Sequence, residues 1–199
     1  MNMKPNVSAA ASAGAQTTYA IDSSHSSAQF SVRHMMISNV KGEFSKVSGT
    51  IVYDPANLGV SKIEAVIDVS SINRREPRRD EHLKSADFFD IARFPTPIFK
   101  SKQIWESEGK LQARGDLTMH GVTREVVLVI DGPTAEAKDP WGNLRRGASA
   151  TATLNRKDWG LVWNQALETG GVLVGDKVSI TLDIEATRPG PAKSEAGAA

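Results

Sequence analysis

Val178-Ser179-Ile180-Thr181-Leu182-Asp183-Ile184-Glu185 alternates an apolar with a polar residue at every step. A period of two is that of a β-strand, whose successive side chains point to opposite faces. An apolar face backed by a polar one marks an antiparallel sheet that covers a core on one side and meets water on the other.

Outward from this stretch, the pattern recurs along the chain. Ala148, Ala150, Ala152 and Leu154 alternate with Ser149, Thr151 and Thr153. Val126, Leu128 and Ile130 precede them, and Leu111, Ala113, Gly115, Leu117 and Met119 alternate with Gln112, Arg114, Asp116 and Thr118. Phe99 and Trp105 share a parity opposite to that of Lys100 and Lys102, and Ile63, Ala65, Ile67 and Val69 alternate with Glu64 and Asp68. Gly42 and Phe44 share a face, and Gly49, Ile51 and Tyr53 carry the same strand on past Val47. The first strand holds Ala28, Phe30, Val32 and His34 on one face. These are eight strands, close enough in sequence to lie antiparallel to one another. Asp54-Pro55-Ala56-Asn57-Leu58-Gly59, Met119-His120-Gly121-Val122 and Asp131-Gly132-Pro133 supply the turn chemistry.

One stretch reads differently. Arg79-Asp-Glu-His-Leu-Lys-Ser-Ala-Asp-Phe-Phe-Asp90 has Leu83 and Ala86 three apart, on one helical face. Pro95 and Pro97 end any helix soon after. The expectation is an all-β fold: an eight-stranded antiparallel barrel with this helical plug, residues 79–90, between the third and fourth strands. A two-sheet sandwich has the same local pattern. Small inward residues favour a barrel with room inside, Ala148, Ala150 and Ala152 on one strand and Ala113 and Gly115 on another. Eight strands is the size at which a lumen is either packed or holds one small ligand.

The patterned segment, residues 18–188, is expected to form one domain, with residues 1–17 and 189–199 as disordered tails rich in Ala, Gly, Ser and Pro. The whole chain has 199 residues and a formal charge of +1, which gives no global basic field for nucleic acid. No apolar run is long enough for a transmembrane helix. There is no cysteine, so disulfides and thiolate metal sites are excluded. The N-terminal stretch lacks the apolar region of a secretory signal. Either the protein is cytoplasmic, or a signal was removed or replaced.

The pieces together resemble the YceI-like family, the polyisoprenoid-binding proteins with an extended lipocalin-like barrel. They are Tyr19-Ala-Ile-Asp22 with His25-Ser26, Phe30-Ser-Val-Arg-His-Met35, Gly42-Glu-Phe44, Ser71-Ile-Asn73, and Arg79-Asp80 with His82-Leu83 and Phe88-Phe-Asp90. They continue with Phe94-Pro95, Phe99-Lys-Ser101, Gly115-Asp-Leu-Thr-Met-His-Gly-Val-Thr-Arg124, Arg156-Lys-Asp-Trp-Gly160 and Val174-Gly-Asp-Lys-Val178. The resemblance implies non-catalytic binding of a long apolar chain in the lumen, as an isoprenoid quinone, polyprenyl phosphate, fatty acid or fatty amide. It implies no cofactor beyond that lipid ligand, and a periplasmic or secreted location. The rival reading is a filled-core module that acts through its surface. The outer barrel face leaves room for a homodimer. Arg74-Arg-Glu-Pro-Arg-Arg79 is more basic than the resemblance predicts.

Candidate site residues come from the inward parity and this resemblance. Phe30, Val32, His34 and Phe44 lie on the inner face of the first two strands, Phe99 on the fourth, Leu117 and Met119 on the fifth, and Ala150 on the seventh. Phe88 and Phe89 end the plug, and one of the two should point inward, since adjacent residues do not share a face. Trp159, Leu161 and Trp163 alternate with Gly160 and Val162, either as a closing strand or as a lid edge at a mouth. His25, His34, His82 and His120 show no metal-ligand spacing. His120 before Gly121 reads as a turn residue, and His34 as either a hydrogen-bonded core histidine or a ligand contact. No Gly-x-Ser-x-Gly elbow is present, and Gly170-Gly171 lacks the Lys-Ser/Thr of a phosphate cradle. The charges of residues 74–84 read as a solvated loop, or as an attractor for anionic head groups.

Overall fold

The computed structural model describes residues 16–168 and 170–190. Among them are the strands β1 (Thr17–Ile21), β2 (Ser27–His34), β3 (Ser38–Phe44), β4 (Val47–Tyr53), β5 (Lys62–Ile67) and β6 (Ile72–Asn73). The helix α1 (Pro77–Lys84) comes next, then β7 (Ile98–Ser107), β8 (Lys110–Met119), β9 (Val122–Asp131), β10 (Ala137–Lys138), β11 (Leu144–Asn155) and β12 (Val174–Arg188). Strand β1 opens at Thr17, one residue ahead of the expected domain start. Residues 1–15 and 191–199, the bulk of the two expected tails, lie outside the described residues.

The barrel closes. Strand β1 pairs with β4, β4 with β5, β5 with β7, β7 with β8, β8 with β9, β9 with β11, β11 with β12, and β12 with β1, all antiparallel. That ring of eight settles barrel against sandwich. The seam is the β11–β12 ladder, which runs from Leu144↔Arg188 to Asn155↔Lys177. The other edge of β12 is shared: its C-terminal end pairs with β1, and its N-terminal two-thirds pairs with β2. Strands β2, β3 and β6 therefore continue the wall upward past the closed ring. The second strand of the sequence reading is two strands, β3 and β4, joined at Ser45-Lys46.

The alternation behaves as a β-strand requires. On β9, Val126, Leu128 and Ile130 are buried, while Val127 and Val129 are exposed. On β12, Val178, Ile180, Leu182 and Ile184 are only half-buried although they point inward. They face a lumen and not a packed partner. Two apolar clusters form the walls: one around Phe99, Ile104, Ala113, Leu128 and Trp159, the other around Ala28, Phe44, Val47, Val69 and Ile72, with Leu182 packed against both.

The helix lies where expected, after the β5–β6 segment and before β7, but it is shorter and begins earlier than residues 79–90. Pro77 occupies its first turn, where the missing N–H is unneeded. The Glu76 carboxylate accepts from the Arg78 and Arg79 N–H groups at 3.2 and 3.0 Å. Ser85 ends it, donating its hydroxyl to the His82 carbonyl at 2.7 Å. Residues 86–89 and 91–93 form turns, with Asp90 between them at φ 46°.

Candidate functional site

A cavity of about 490 Å³ lies inside the barrel, within the range of small-molecule sites. Its walls are apolar side chains from every strand of the closed ring and from β2, β3 and α1. Ala148, Ala150 and Ala152 line it, as their small size predicted. Ala113 and Gly115 do not. Ala113 is fully buried in the wall. A Cβ on Gly115 would stand 2.4 Å from the Lys100 carbonyl and 2.7 Å from the Phe99 ring. Those two small residues let β7 approach closely where its register shifts between Ser101 and Gln103, which is structural and leaves no space.

Phe30, Val32, His34, Phe44, Phe99, Leu117, Met119, Ala150 and Trp163 all line the cavity. So do both Phe88 and Phe89. The expectation that only one would point inward fails because the helix has already ended at Lys84. Turn geometry lets Phe88 pack on His82 and Trp163, with ring centroids 5.1 Å away in each case, while Phe89 meets Phe44 edge-on at 5.6 Å.

Trp159 is a correction. It is 2% exposed and does not line the cavity. Strands β9 and β11 pair only at Ser149–Thr151 and then part. The 3₁₀ turn Arg156–Trp159 packs beside that split, and the indole N–H donates to the Leu117 carbonyl at 3.1 Å. His120, in a turn with Gly121, meets the Trp159 carbonyl at 3.1 Å, so both residues lock β8–β9 to this turn. Trp159, Leu161 and Trp163 are no strand. Gly160 reverses the chain at φ 76°, and Arg156 then pins the segment beyond it. The guanidinium donates to the carbonyls of Leu161 at 2.5 Å, Trp163 at 2.9 Å and Gly175 at 2.9 Å. Burial lowers the pKa of this arginine, with Asp176 opposing.

The two ends of the cavity differ. At the end near the β12 C-terminus, the Tyr19 hydroxyl donates to Glu136 at 2.7 Å and accepts from Arg146 at 2.9 Å, while Arg188 grips Glu136 through two bonds of 2.9 and 3.0 Å. The Arg146 guanidinium also lies over the Tyr19 and Tyr53 rings. This satisfied network ties β1, β11 and β12 to the residue before β10 at that end. Just outside it, Arg145 binds Asp22 at 2.6 Å and Asp139 at 2.8 Å, and also Glu185. Asp22, His25 and Glu185 bring ligand-type atoms within 4.8 Å of one another, but the Arg145 cation already neutralises that cluster.

At the opposite end the lining includes His34, Arg74, Arg79 and His82. Arg74 is half-buried and donates Nε to the Lys41 carbonyl at 3.2 Å. Burial, then repulsion from Arg79, depresses its pKa. Arg79 is exposed, with one 3.5 Å ion pair to Glu76. The cavity therefore reaches water past these two arginines. The solvated reading of residues 74–84 missed them. The signal was there in Arg74 standing two residues after the inward Ile72, at the same parity, but a charge run hides it. His34 shows no side-chain hydrogen bond among the described residues, so the core-histidine reading does not fit.

A family model described as a YceI-like domain matches residues 19–186. A UPF0312 protein of Vibrio cholerae is 38% identical over 146 residues, which cover 72% of this chain and 77% of the relative. The solved YceI protein of Campylobacter jejuni is 29% identical, with a TM-score of 0.65 over 78% of this chain and 89% of its own. A polyisoprenoid-binding domain from Saccharophagus degradans, implicated in plant cell wall breakdown, has a TM-score of 0.61 at 14% identity, over 86% of this chain and 98% of that one. That last likeness is one of fold.

Proposed function

The chain belongs to the YceI-like family, and from that premise we propose that it carries or stores a single long-chain lipid, an isoprenoid or a fatty-acid-like molecule, in the barrel lumen. The observation behind this reading is the apolar cavity, bordered by the Tyr19–Glu136–Arg146 network at one end and by Arg74 and Arg79 at the other. A protein core is ordinarily packed to the density of an organic crystal. Half-buried inward residues along β12 are what an apolar guest would cover.

Magnitudes limit the guest. Each methylene taken from water contributes about 0.8 kcal/mol, while association costs ~4–15 kcal/mol in lost freedom. Tight binding needs a chain on the order of a dozen methylenes or more. Affinity should rise about fourfold per methylene until the cavity is full. We read the protein as a binder and not a catalyst, because the middle of the site offers a guest apolar contact and little else.

Mass spectrometry of organic extracts from purified protein, with uptake of added quinone or fatty acid, tests the proposal. A co-purifying long-chain lipid, or saturable uptake of one chain per protein, is the expected result. Repeated absence of both would favour a module that acts through its surface.

A further inference from the structure

We infer that the β2–β3 hairpin tip is a membrane-docking element for anionic bilayers, set beside the open end of the cavity. Met35 and Met36 occupy the central positions of the turn at φ 49° and 62°. The Ile37 N–H closes the turn on the His34 carbonyl at 3.1 Å. Two consecutive positive φ values are the pattern of a type I′ turn, for which Asn-Gly is favoured because side chains with a Cβ and no local hydrogen bond are strained there. Two methionines in that place work against local stability, and such departures concentrate at functional sites.

The outcome is an apolar projection. Met36 is 57% and Ile37 75% exposed, and Met35 is exposed beside them. The Met35 N–H binds the Leu173 carbonyl at 2.8 Å, which ties the tip to the segment carrying the exposed Val162 and Val172. Leu173 and His34 both line the cavity, so the projection stands at the cavity's rim.

Charge complementarity identifies the occupant. Arg33 donates to the Met36 carbonyl at 3.1 Å, so a cation sits at the tip itself. Strand β6 runs antiparallel to β3 from Glu43↔Asn73, which carries residues 74–84 toward the same end. That stretch holds five basic side chains against three acidic ones. The acidic groups are engaged: Glu76 with Arg79 and the first N–H groups of α1, Asp80 with the Arg74 N–H at 2.9 Å, and Glu81 with Lys84 at 3.0 Å. Arg75 and Arg78 are exposed, and their side chains have no hydrogen bond or ion pair among the described residues. Exposed apolar side chains at the same end of the barrel as unpaired cations suit the interface of an anionic bilayer. The inference rests on the lipid-carrier reading only for its purpose, the transfer of cargo at that rim.

The test is co-sedimentation of the full chain with vesicles of equimolar phosphatidylglycerol and phosphatidylcholine, against vesicles of phosphatidylcholine alone. The protein should sediment with the anionic vesicles and be released by high salt. Met35→Asn/Met36→Gly should abolish sedimentation while the melting temperature holds or rises, since the turn gains its favoured residues. Arg75→Gln/Arg78→Gln should weaken it about fivefold for each charge removed. Wild-type protein that stays in solution with both vesicles overturns the inference, as does a tip variant that sediments like wild type. Binding to native membranes alone, lost when those membranes are treated with protease, overturns it in favour of a protein receptor. Lipid uptake without vesicle binding refutes this inference and leaves the carrier reading standing.

Discussion

Arg156 is 5% exposed and joins three stretches of chain through hydrogen bonds to carbonyl oxygens. A lysine keeps the charge but cannot fork to several acceptors at once. Charged hydrogen bonds are worth about 1.5–3 kcal/mol each, so Arg156→Lys should cost about 3 kcal/mol, measured by chemical denaturation, and should speed hydrogen exchange in residues 161–168. At the other end, hydrogen bonds with His25 and Arg145 hold the Asp22 carboxyl down to about 2 from 3.8. A carboxyl whose folded pKa is depressed gives stability that is present above its unfolded value and is lost as pH falls through the folded one. Thermal stability should therefore drop between about pH 4 and about pH 2, and Asp22→Asn should flatten that part of the profile. An unchanged profile would show that Asp22 contributes nothing to acid sensitivity. These partnerships were not legible in the sequence, because Asp22 lies 123 residues from Arg145 and Arg156 acts on backbone carbonyls, which no side-chain pattern marks. His120 was legible as a turn residue from the glycine after it.

At the scale of elements, strands declared themselves and caps did not. Period-two alternation located every barrel strand except β1, whose Tyr19 and Ile21 were too short a run to register between the tail and the turn at Asp22–Ser26. The helix was found but misplaced. Phe88 and Phe89 look helical beside Leu83, while the signal that sets the start, Glu76-Pro77, lies inside a run of basic residues that masks it. Trp159 and Trp163 alternate as a strand would, yet no ladder partner exists for them among the described residues, and the Arg156 carbonyl clamp imposes another path. The Glu76 cap yields a prediction. Losing an N-cap costs about 1 kcal/mol. Glu76→Ala should raise hydrogen exchange in α1 and leave β8 and β9 unchanged. Because His82 on α1 packs on Phe88 and Trp163 at the rim, the same variant should release bound lipid faster. Release at the wild-type rate would show that α1 is no part of the gate.

For the whole molecule, closure is the property that local pattern does not contain. Nothing in any one strand says that β12 meets both β11 and β1, and those two ladders are what separate a barrel from a sandwich. Room inside was half legible. The alanines of β11 face the lumen, whereas Gly115 makes space for backbone, and the two cases look alike in sequence. Ala150 is where the distinction can be measured, since it lines the cavity and also touches the packed wall around Ile130 and Trp159. Ala150→Trp places a large ring in the path proposed for the guest. A lumen accepts added volume, while a filled core is strained by typically 1–3 kcal/mol or more. The decisive measurement is the lipid bound per chain, by native mass spectrometry, for wild type and Ala150→Trp, with the melting temperature of each. The carrier account predicts that the variant loses lipid and keeps nearly the wild-type melting temperature. Lipid retained at the wild-type level, or a variant that is strongly destabilised, would contradict it.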